Sequence, residues 1–144
     1  MKRILTKEQI ENILDEIKQN PGVDAILLTG SYVYGKPRTG SDLDVFCTTN
    51  DGSDWALKNV KNMRFGVEVN VCFNPPDKVR WYMQKSKDEG HGDCIHFWAH
   101  GSIVYDLNGI AAQLQKEARE LWCKGPGKGK SWIWRFEKHQ KMKN

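Results

Sequence analysis

No run of about 18 apolar residues occurs anywhere in this sequence, which argues against a chain threaded through a membrane as helices. The start, Met1-Lys2-Arg3-Ile4-Leu5, turns polar at once and has no apolar stretch like that of a secretion signal, so a cytoplasmic location is expected. Cysteine is sparse. Cys47, Cys72, Cys94 and Cys123 stand far apart with no Cys-x-x-Cys pair, which disfavours a disulfide scaffold and predicts reduced, mostly buried thiols. No internal repeat is present. Acidic residues run short in one place: residues 124–144 hold Glu137 alone against seven Lys and Arg. Residues 1–123 carry 15 basic and 17 acidic groups, so the overall charge of +4 is a property of the tail.

What remains is an ordinary globular composition, 39% hydrophobic and 28% charged over 144 residues, enough for one domain with its own core. Thr6 with Gln9 three residues on forms a capping box, and Ile10, Ile13, Leu14 and Ile17 recur at helical spacing behind it. Asn20-Pro21-Gly22 ends that helix. Val23–Thr29 reads as a strand, Gly30-Ser31 opens a short aromatic helix (Tyr32-Val33-Tyr34), and 35–41 is a Gly/Pro/Ser loop. Leu43–Thr48 is the next strand. Phe65–Phe73 alternates with Val67, Val69, Val71 and Phe73 on one face, and residues 55–61 are either its hairpin partner or a short helix. Pro75-Pro76-Asp77 opens a helix to about Lys87. A short helix over 95–99, a strand over 102–106 and a helix through Leu114, Ala118, Leu121 and Trp122 complete the order.

The expected class is α/β (α+β), a mixed sheet of four to five strands flanked by helices. Residues 1–123 form the domain. Residues 124–144 form a basic, aromatic extension after the linker-like Gly125-Pro126-Gly127-Lys128-Gly129. Its Trp132, Trp134 and Phe136 suit docking, or the start of a further helical domain. Interleaved with lysines they also fit single-stranded nucleic acid, the weaker reading.

The chemistry concentrates in Gly30-Ser31, ten residues, then Asp42-Leu43-Asp44. Residues two apart in a strand share a face, so Asp42 and Asp44 project together while Leu43 and Val45 enter the core. Paired carboxylates repel, and a cation between them relieves the repulsion. Hard oxygen ligands suit magnesium, completed by phosphate oxygens. Glu68, opposite the valine face of its strand, supplies a third acid where that strand lies beside the Asp42–Asp44 strand, which suits two metal ions in in-line phosphoryl displacement. Small residues at Gly30-Ser31 let backbone N–H groups approach a phosphate. Lys36 and Arg38 in the intervening loop offset triphosphate charge. An incidental Ser-capped turn with stray acids is the bland alternative.

The stretch LLTGSYVYGKPRTGSDLDVFC resembles the signature of the DNA polymerase beta-like nucleotidyltransferases, and FGVEVNVCF resembles the strand carrying that family's third acid. Gly101–Asp106 is similar to the last core strand of its bacterial members. The resemblance implies magnesium-dependent transfer of a nucleoside monophosphate from an NTP, ATP first, to a hydroxyl acceptor. Mg2+ is the expected cofactor, as two ions, with Mn2+ able to substitute. It implies that Gly30 and Ser31 hold the triphosphate, that Asp42 and Asp44 bind metal, and that Glu68 is third ligand and proton acceptor. The third acid is often Asp in the family and is Glu here. Stand-alone members act on antibiotics, on protein hydroxyls or on a helical partner, and the short domain favours a protein acceptor. A nucleotide-binding module without catalysis is the competing reading. His91, Asp93, Cys94, His96 and His100 crowd one segment, yet Ile95, Phe97 and Trp98 make a core-facing helix the better reading than zinc.

Overall fold

The computed structural model describes residues 3–50 and 52–125. The order is α1 (Lys7–Lys18), β1 (Val23–Thr29), α2 (Ser31–Tyr34), β2 (Leu43–Thr49), β3 (Asn59–Arg64), β4 (Val67–Asn74), α3 (Pro76–Glu89), α4 (Asp93–His100), β5 (Ser102–Asp106) and α5 (Ile110–Lys124). The strands form one mixed sheet in the order β3-β4-β2-β1-β5. β2 runs parallel to β4, and every other neighbouring pair is antiparallel.

The capping box at Thr6 and Gln9 is formed in full. Behind it Ile13 and Leu14 of α1 pack on one face of the sheet, against Ile26, Leu28, Leu43, Val45, Val67, Val69, Val71 and Phe73. On the opposite face Ala25, Leu27 and the half-buried Phe46 meet Val79 and Met83 of α3, Ile95 and Trp98 of α4, and Ala111, Leu114 and Ala118 of α5. β1 is therefore apolar on both sides, as a central strand between two helical layers must be. β2 and β4 are different: apolar on the α1 face, they alternate outward through Asp44, Phe46, Glu68, Asn70 and Cys72. That second face is where polar chemistry sits.

Of the two readings of residues 55–61 the hairpin fits in part: the paired arm is Asn59–Arg64, and residues 55–57 lie in the turn before it. Phe65 and Gly66, read from sequence as part of the strand, instead make a two-residue turn with both φ positive, 52° and 78°. Two positive φ values match the type I′ turn, whose twist follows that of the strands.

Side-chain burial varies among the tryptophans and the cysteines. Trp98 is core, but Trp55 and Trp81 are exposed, and Lys78 Nζ lies 4.0 Å from the Trp81 ring centroid. Long amphipathic side chains cover such rings at a surface without burying them. Cys47 is buried, Cys72 and Cys94 are half-buried, and Cys123 is exposed on α5. Burial pushes the Cys47 and Cys94 thiols up to about 12, so both stay protonated and unreactive. From residue 126 on, the expected basic extension lies outside the described residues. Among the described residues no helix is long and apolar enough to cross a membrane.

Candidate active site

Three strands bring the site together. Thr29, the last residue of β1, pairs with Asp44 of β2, so the chain passes into Gly30-Ser31 directly beside the two aspartates. Gly30 adopts φ 85° and ψ −163°, a region that only glycine enters without strain. A Cβ there would sit 3.5 Å from Asp44 Oδ2, so the glycine brings the backbone close to the carboxylate. Ser31 opens α2, and Tyr32 anchors that short helix by accepting a hydrogen bond from the Leu5 N–H at 3.0 Å.

Parallel pairing sets Leu43 against Val69 and Asp44 against Asn70. One step back, Glu68 comes level with Asp42, and the two carboxyls share a hydrogen bond. Asp42 is thereby held above the ordinary carboxylate range. Loss of hydration is the largest cause, followed by the hydrogen bond to Glu68 and the negative charges of Glu68 and Asp44, with Lys61 pulling the other way. Asp42 is nonetheless largely exposed, so the crowding by like charge acts on it together with a partial loss of hydration.

Glu68 and Asp44 are thus both near enough to Asp42 to act on its carboxyl. Among the described residues no three His, Cys, Asp or Glu side chains are drawn into a closed metal-binding cluster; the acids form a looser group. The donor set still fits a hard divalent cation. It offers only carboxylate oxygens, and they repel one another, a repulsion that a cation between them would relieve.

Two further residues belong to the site. Lys61 of β3 reaches Glu68, Nζ to Oε1 at 3.5 Å. Asn70 donates from Nδ2 to Asp44 Oδ1 at 3.1 Å, while its own Oδ1 is buried without a hydrogen-bond partner. A carboxylate only accepts, so the amide must present its NH2 to Asp44. The signal for Asn70 was in the sequence, two places after Glu68 on the same face. Lys61 carried no such signal until the hairpin register was known. Lys36 and Arg38 do not join the carboxylates. Both are exposed on the loop between α2 and β2, where the Arg38 N–H donates to Ser41 Oγ at 2.8 Å.

Acids and histidines away from the carboxylate group find structural partners. Asp24 accepts from Asn50 Nδ2 at 3.2 Å, and Asp77 pairs with Arg80 at 3.2 Å. His91 contacts Glu89 at 2.6 Å. The His96 and His100 rings lie 4.7 Å apart, each 5.7 Å from Trp122, so they pack in an aromatic cluster at the α4–α5 contact.

Residues 10–97, well over half of the chain, match the family described as nucleotidyltransferase domain. The fold is similar to that of a nucleotidyltransferase-like protein from Exiguobacterium sibiricum 255-15, with a TM-score of 0.59 at 16% identity. The similarity covers 78% of this chain and 38% of that protein. No curated protein matches the sequence.

Proposed function

Because the chain belongs to the nucleotidyltransferase domain family, we propose that it moves a nucleoside monophosphate from an NTP, ATP first, to a hydroxyl on a protein or small molecule, with magnesium held by Asp42, Asp44 and Glu68. The observation that carries this reading is the meeting of three acids from two parallel strands beside Gly30-Ser31. The catalytic unit lies within residues 1–123, and residues 124–144 are a basic extension.

In this reading the Gly30-Ser31 turn takes the triphosphate through backbone N–H groups and the Ser31 hydroxyl. Lys36 and Arg38, exposed on the adjoining loop, offset its charge. A bound divalent cation supplies charge neutralisation of the phosphate oxygens. Glu68 takes the acceptor's proton. The acceptor oxygen bonds to the α-phosphorus, the bond from that phosphorus to the bridging oxygen breaks, and pyrophosphate leaves with the electron pair. Lys61 orients Glu68, and Asn70 fixes the rotamer of Asp44.

The test is α-phosphate-labelled NTP with Mg2+ and candidate acceptors, read as label transfer with one pyrophosphate released per transfer. Asp44→Asn is expected to lower the rate by about a thousandfold or more, since metal-assisted charge stabilisation is worth several kcal/mol. Absence of both transfer and Mg2+-dependent NTP binding in the wild type would sink the proposal.

A further inference from the structure

Lys61 does more than steady Glu68. It stands on β3 opposite Asn70 of β4, the residue whose amide holds Asp44. Glu68 lies two places along β4 on the same face, a diagonal step that a long side chain spans. The ammonium accordingly comes within 3.5 Å of Glu68 Oε1. Its charge is felt at Asp42 too, where it opposes the pull of the two other acids. Among the described residues no other cation comes within ion-pair distance of the three carboxylates. The sheet order β3-β4-β2-β1-β5 puts Lys61 on one flank of the acids and the Gly30-Ser31 turn, at the end of β1, on the other.

A cation so placed acts with opposite sign on two kinds of ligand. A bare divalent ion entering the acids is repelled by it, and must also draw Glu68 away from an existing ion pair. A polyphosphate bringing the same ion carries net negative charge and is attracted. We propose that Lys61 is a charge filter on the acid site: it disfavours a divalent cation alone and favours one carried by a triphosphate, so that metal and NTP load together. This rests on the reading of those acids as the site of nucleotidyl transfer. A tie that merely pins the β3–β4 hairpin is the plainer account of the same contact. The Lys61 side chain is 69% exposed, however, and a pair this open to water adds little to stability. Solvent leaves its charge felt chiefly by what enters the site from outside. A purely structural tie would leave both ligands bound as before, or shift both in one direction.

Calorimetry on the full chain reads the two signs separately. Mg2+ alone is titrated first, then the Mg2+ complex of inorganic tripolyphosphate, each at low and at high salt. Lys61→Met removes the charge and keeps most of the stem. It is expected to bind Mg2+ alone about fivefold more tightly at low salt and the tripolyphosphate complex about fivefold more weakly. Both changes should shrink at high salt, as screened interactions do. Lys61→Gln, a second neutral variant, is expected to repeat the pattern. Lys61→Arg, which keeps the charge, is expected to hold both affinities within about twofold of the wild type. The inference is overturned if the neutral variants move both affinities the same way or move neither. Wild-type protein that takes up neither the ion nor its complex, or uptake of both that survives Asp44→Asn, would instead remove the acids as the metal site and the filter with them. Loss of both in Asp44→Asn, with no effect of Lys61→Met, keeps the site and sinks only the filter.

Discussion

Asp42 is the residue whose surroundings ask most for a cation. Its carboxyl holds a proton more tightly in the fold than in the unfolded chain, so ionising it costs the folded state. That penalty is absent at low pH, where the group is protonated in both states, and grows as pH rises from the unfolded value through the raised folded one. Asp42→Asn is therefore expected to leave the melting temperature unchanged near pH ~3 and to raise it near pH ~7 in metal-free protein. The same substitution should shrink the gain that Mg2+ gives the wild type. Thermal melts at the two pH values, with and without Mg2+, check both arms; a lower melting temperature for the variant at neutral pH contradicts the electrostatic account. These residues were readable because strand alternation alone decides which side chains share a face. Lys61 was not, since its meeting with Glu68 depends on which residues of two strands stand opposite each other.

Among the elements, the two longest apolar strands and the capped helices were plain in the sequence. β3 was ambiguous for a physical reason. As an outer strand with Asn59, Lys61, Asn62 and Met63 all exposed, it buries neither face fully and shows no clean alternation. Phe65 misled in the opposite way, since an aromatic beside a valine run suggests strand and yet it occupies a left-handed turn position. Asn is at home there and Phe is not. Phe65→Asn is expected to stabilise the protein by up to about 1 kcal/mol, less whatever the contact between Arg64 and the Phe65 ring contributes. Urea unfolding measures this, and a destabilised variant would mean that the ring contact outweighs the backbone strain.

For the whole molecule the sheet is a partition: α1 closes one side, and α3, α4 and α5 close the part of the other that the acids leave free. The helical layer is tied by Arg80, which reaches both oxygens of Glu117 across from α3 to α5 at 2.9 and 3.1 Å. The hydrogen bond from Arg80 is the main reason Glu117 lies below the ordinary carboxylate range. A depressed folded value contributes stability above the unfolded value and loses it as pH falls through the folded one. Glu117→Gln is thus expected to cost about 0.5 kcal/mol at neutral pH, modest because the pair is partly exposed, and to make the acid limb of the stability curve shallower. Unfolding curves from pH ~7 down to ~3 test it; an unchanged acid limb would assign the tie no electrostatic role. The layered fold was legible from short-range pattern. The Arg80–Glu117 tie was not, because it joins helices that meet only through the tertiary fold.

Val67, Val69 and Val71 present the same side chain three times to the buried layer. For hydrophobic packing alone, β4 displaced along β2 by two places would look much the same. Such a slide would bring an amide opposite Asp42 where the carboxylate now stands, giving a well-folded but inert protein. Against it stand the tight Phe65-Gly66 turn, the terminal Phe73 packed beside Trp55 at 5.1 Å, and the Asn70 amide latched to Asp44. Asn70 thereby acts as an alignment key, telling three interchangeable valines which one comes first.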